Sequence, residues 1–263
     1  MRYMIPALLS WAVLSGAAFA FEPADVPPAD IVIVGEVHDN PAHHTAQAAV
    51  VAQVQPKAIV WEMLQPTQAG LVTPELIENA DAMAERLGWA EAGWPDFSMY
   101  HPIFAAAPDA ISYGAAVPRE LAQAVMQEPL GAAFDAAAAY GLDRDLSDAN
   151  QIAREDLQRV AHCDALPKEL LPAMVKVQRL RDATLAQAAV KALADTGGPV
   201  VVITGNGHAR KDWGVPSYLA QVAPKARVWS IGQAEDGSAP DGGFDVVWDA
   251  PAQDRPDPCA ALR

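Results

Sequence analysis

The chain has 263 residues, 51% of them hydrophobic, and a formal net charge of −15. That length buries a core without staples and suits one large domain or two small ones. So acidic a body is a poor match for nucleic acid, whose binders neutralise phosphates with Lys and Arg.

Residues 1–20 carry one early cation, Arg2, an apolar stretch from Met4 to Val13, and the ending Ala18-Phe19-Ala20. This is the pattern of a secretory signal peptide, and cleavage is expected after Ala20. The apolar run is interrupted at Pro6, Ser10 and Ser15, and it is short for a bilayer core of about 30 Å. Removing it takes away Arg2 and moves the formal charge from −15 to −16. No cysteine lies near the cleavage site, so the expected product is periplasmic, with neither a lipid anchor nor an integral membrane span.

In the remainder, residues 21–263, short β-branched runs occur at Ile31–Gly35, Ala58–Glu62, Ala110–Gly114, Pro199–Gly205, Arg227–Gly232 and Phe244–Trp248. Between them fall the helical patterns Pro41–Val54, Pro118–Gln127, Ala149–His162, Lys168–Leu193 and Pro216–Gln221. The alternation predicts a single α/β domain whose mainly parallel sheet is covered by helices on both faces. Residues 64–108, with Trp89, Trp94, Phe97 and Tyr100 close together, read as an inserted helical and aromatic lobe. Residues 250–263, rich in proline and aspartate, read as a C-terminal surface arm. Export would expose Cys163 and Cys259 to an oxidising compartment, and a bridge pinning the arm is preferred over two free thiols.

Ligands of parallel sheets gather beyond the carboxyl ends of strands. There the first run leads into Gly35-Glu36-Val37-His38-Asp39-Asn40-Pro41, and the fourth into Gly205-Asn206-Gly207-His208. Each is a strand, a glycine, two residues and a histidine, with Asp39 or Asn40 placed to cap the helix that Pro41 begins. The second run ends on Glu62, a carboxylate able to accept from His38 or His208, or to bind a divalent transition metal with them. On the long helix, Gln178 and Asp182 interrupt the stripe Leu171, Val175, Leu185, Ala189 and Leu193, with Arg181 beside them. Such a cluster facing a sheet needs polar partners, for which Glu36 or Glu62 would serve.

Taken in order, GEVHDNPAHHTAQ, the strand ending WEM, LGWAEAGWPDFSMYHPIF, VQRLRDATLA and GNGHARKDWGVPSYL resemble the ChaN family, within a superfamily that includes the Tiki and TraB proteins. The resemblance implies haem binding and a part in iron acquisition. It also implies an axial tyrosine and a homodimer around paired haems, as in the family's best-known member. On that reading the lobe from Trp89 to Phe104 forms the slot, Tyr100 or His101 holds the iron, and Arg210 or Lys211 meets the propionates. The Tiki branch implies the alternative, a metal-dependent hydrolase. There His38, His208 and Glu62 would hold the metal, Glu36 would act as general base, Arg181 would steady an oxyanion, and Gln178, Asp182 and Asn206 would support them.

Overall fold

The computed structural model describes residues 26–257, 259 and 260; the expected signal peptide lies outside them. Its six strands are β1 (Ile31–Val34), β2 (Ala58–Trp61), β3 (Ile111–Gly114), β4 (Val200–Ile203), β5 (Val228–Glu235) and β6 (Val246–Ala250). All six expected runs form strands, in the order β3-β2-β4-β1-β5-β6, and every named pair is parallel.

The three strands β1, β2 and β4 are short and rich in Val and Ile because both of their faces are covered. Ile31 and Ile33 of β1 join one apolar cluster, while Val32 and Val34 join the other. The first face is covered by α7 (Arg119–Gln127), α9 (Leu171–Thr196) and α11 (Val215–Val222), with α8 (Asp148–Ala161) packed on α9. The second face is covered by α1 (Pro41–Val54) and by a lobe of five short helices. These are α2 (Pro66–Ala69), α3 (Pro74–Ile77), α4 (Ala80–Arg86), α5 (Trp89–Ala92) and α6 (Phe97–Ala105). The expected lobe is therefore part of the main core. Its aromatics pack inward, with Phe104 stacked on Trp61 at 3.7 Å between ring centres. Among the described residues no helix is long and apolar enough to cross a membrane.

Two elements, α9 and β5, run well past the ends expected from the sequence, each for a local reason. Helix α9 runs past Leu193 until Gly197, at φ 74°, ends it in the left-handed conformation that glycine adopts without cost. Strand β5 continues beyond Gly232 because β6 pairs with it through Glu235. The C-terminal arm is fastened at two points. The guanidinium of Arg255 holds both Asp39 and Glu235, and Cys163 is bonded to Cys259.

The insertion of β4 between β1 and β2 matters most for the site. It makes the GEVH and GNGH segments leave neighbouring strands in the same direction.

Candidate functional site

The two loops are locked to each other before any side chain points outward. Asn206 donates its backbone N–H to the Glu36 carbonyl at 2.9 Å, and its side chain brackets the backbone of Gln233 on β5, at 2.8 and 3.0 Å. Gly35 is required beneath it, since a β-carbon there would collide with Asn206 Oδ1. Asn206 is thus a staple between loop and sheet, and the expected cluster with Gln178 does not form around it. Of the two candidate caps, Asn40 serves, accepting from Ala42 N–H at 2.9 Å, while Asp39 turns to Arg255.

From this base a row of ionisable groups runs along the carboxyl edge of the sheet. Glu36 is buried; its Oε1 accepts from Tyr100 O–H at 3.0 Å and lies 2.6 Å from His38 Nδ1. Its Oε2 is 3.2 Å from His44 Nδ1 but off the hydrogen-bonding direction. Across the strand gap, Glu62 Oε2 accepts from Thr204 O–H at 2.6 Å and Gly205 N–H at 2.8 Å. Its other oxygen is 3.5 Å from His208 Nε2, whose Nδ1 is 2.6 Å from Asp182. A methyl at Gly205 would sit 3.0 Å from His38 Nε2 and 3.8 Å from Glu62 Oε2. The glycine therefore keeps open the space those two side chains share.

These contacts set the charges. Burial works to lower His208, but the carboxylates of Glu62 and Asp182 outweigh it and push it up to about 9. Burial likewise opposes charge on His38, and the hydrogen bond to Glu36, with the charges of Glu62 and Glu36, raises it overall. Glu62 is held below its ordinary value because the two histidines and its donors overcome its burial. Glu36, His38, Glu62, His208 and Asp182 thus form a row in which carboxyl and imidazole groups alternate. Within it, the His38 side chain is 37% exposed. Its Nε2 has no described partner and is not among the buried orphan atoms.

Several expectations need correction. Tyr100 is 0% exposed and its hydroxyl is committed to Glu36, so it cannot reach an iron. His101 gives its Nε2 to the Ile77 carbonyl at 2.7 Å. Arg210 is tied at two points to Asp212 and lies over Trp213, while Lys211 pairs with Asp245. The expected metal set does not converge as folded: His208 has a carboxylate near each ring nitrogen, Asp182 at 2.6 Å and Glu62 at 3.5 Å. Among the described residues no three His, Cys, Asp or Glu converge as ligands. Glu36 is enclosed by Tyr100, His38 and His44, unsuited to act as a base on an outside substrate. Asp182 pairs with His208 rather than directly with either glutamate, and Gln178 faces a separate pocket. Arg181 acts on His208 only by its charge; it makes no ion pair among the described residues.

Two members of the site had no individual role in the sequence reading, Trp94 being expected only as part of the aromatic slot. Trp94 sets its ring edge to face against His38, 5.0 Å between centres, and His44 holds the His38 carbonyl at 2.7 Å. His44 left a usable trace, lying one helical turn into α1 after an Asn-Pro start; Trp94 left only its place in an aromatic cluster.

Residues 24–219 match the family described as haem-binding uptake, Tiki superfamily, ChaN. No curated protein sequence matches. Among solved structures the fold is similar to that of ChaN of Campylobacter jejuni, described for its cofacial haem binding. That match is 17% identical with a TM-score of 0.61 and covers 79% of this chain and 82% of that one. The type III effector HopBA1 is 10% identical at a TM-score of 0.48, covering 85% of this chain and 88% of that one; a likeness so loose carries no argument. With the family pattern matched across most of its length, the chain belongs to the ChaN haem-binding uptake family of the Tiki superfamily.

Proposed function

We propose that this protein is an exported haem-binding protein serving haem and iron uptake, and that His38 is its iron ligand. The observation that carries the reading is the match of residues 24–219 to a haem-binding uptake family. Among the described residues, His38 fits such a ligand. A haem iron accepts an axial imidazole, and iron-binding histidines are characteristically held by a carboxylate on the other ring nitrogen. His38 has that arrangement, with Nδ1 on Glu36 and Nε2 uncommitted. Tyr100 and His44 hold Glu36 and the His38 carbonyl in place.

Beside Trp94 opens a hollow of 460 Å³, walled by Met63, Gln65, Val117 and Arg119, within the ~300–1,000 Å³ usual for small-molecule sites. Arg119, exposed and without an ion pair among the described residues, is suited to a propionate. Export is supported by the bridge between Cys163 and Cys259, since disulfides persist in oxidising compartments. Titration of the mature protein with haemin should give a saturable shift of the Soret band. No shift at micromolar haemin would overturn the reading.

A further inference from the structure

On the Asp182 side of His208, away from the His38 ledge, a pocket of 240 Å³ lies between α8, α9 and the segment after α10 (Asn206–Ala209). Leu157, Ala161 and Val175 give it apolar walls. Three polar atoms of its lining residues are buried with no partner: Arg154 Nε, Trp213 Nε1 and Gln158 Oε1. Gln158 as a whole is 6% exposed. Orphans of this kind are rare in folded proteins because each gives up its bonds to water for nothing, and here three belong to residues that line one small cavity.

The charges point to the sign of the missing partner. Asp182 is matched by His208 and Arg210 by Asp212. Arg154 is within ion-pair distance of no carboxylate among the described residues; its side-chain partner is the hydroxyl of Tyr218, and Asp182 acts on it only at longer range. The guanidinium carbons of Arg154 and Arg210 lie 4.9 and 3.9 Å from the centre of the Trp213 ring. These cations hold the indole from its faces, and its N–H is a second donor without a partner. The volume has room for about eight water-sized groups at ~30 Å³ each, below the range of drug-sized ligands.

We propose that this pocket is a binding site for a small apolar carboxylate carrying one hydrogen-bond donor. Arg154 Nε–H and Trp213 Nε1–H take the carboxylate, the chain lies along Leu157, Ala161 and Val175, and a hydroxyl or amide N–H meets Gln158 Oε1. The site needs no haem, so its failure would leave the haem reading standing.

The test is calorimetric titration of the mature protein with leucate, a branched α-hydroxy acid. The comparisons are isocaproate, the same skeleton without the hydroxyl, and isohexyl alcohol, which lacks the charge. Leucate should bind at one site, isocaproate severalfold more weakly, and the alcohol at least tenfold more weakly. Arg154→Met, and separately Trp213→Phe, which keeps the aromatic ring and loses only the donor, should each weaken leucate about tenfold. Absence of leucate binding, equal binding of the three ligands, or leucate binding unchanged in both variants would overturn the proposal. The comparison among ligands is made on the wild type and does not depend on a variant folding.

Discussion

At the residue scale, the site consists of two histidines of the same motif put to different uses. His208 is held between two carboxylates, whereas His38 has one carboxylate and an open nitrogen. Because His208 is raised to about 9 from an ordinary ~6.5, its contribution to stability is fully present below about pH 6.5. It is lost as pH rises through about 9. Thermal melts from pH 6 to 10 should therefore fall for the wild type by an amount on the order of 3 kcal/mol, and His208→Gln should show a flatter dependence; equal slopes would contradict the assignment. The partners Glu62 and Asp182 were visible in the sequence as polar residues at a strand end and within an apolar helical stripe. Tyr100 was expected as an iron ligand through the family resemblance, and nothing in its spacing marked it as the partner of Glu36. Which ring ends up buried with its hydroxyl on Glu36 depends on how α6 packs on α1, and spacing along the chain does not encode that.

At the element scale, strands and main helices were legible because buried parallel strands and long amphipathic helices leave period-2, continuous or period-3.6 patterns. The five short helices of the lobe were not, since four to nine residues hold too few turns to show a period. Two loop features can be tested. Gly205→Ala would place a methyl 3.0 Å from His38 Nε2 and displace the ring; haemin affinity should drop about tenfold, a loss of roughly 1.4 kcal/mol, and unchanged affinity would refute the described packing. Arg255 ties the C-terminal arm to Asp39, next to His38, and to Glu235. Arg255→Met should speed amide hydrogen exchange over residues 37–40 while leaving β1 protected. Uniform exchange rates in both proteins would show that the clamp does not order the loop.

At the scale of the whole molecule, a parallel sheet with β4 threaded between β1 and β2 gathers groups from four parts of the chain at one edge. The sequence implied the edge; the order of strands had to come from the fold. The bridge between Cys163 and Cys259 spans 96 residues, so replacing both with serine should cost about 2–4 kcal/mol in denaturant unfolding, and no loss would mean the arm adds nothing to global stability. The central claim, that haem is held at His38 and not at a tyrosine, is tested most directly by parallel haemin titrations of the wild type, His38→Ala and Tyr100→Phe, read at the Soret band. The account predicts a shifted band in the wild type, its loss in His38→Ala, and its retention in Tyr100→Phe. A band that survives in His38→Ala and vanishes in Tyr100→Phe would contradict it.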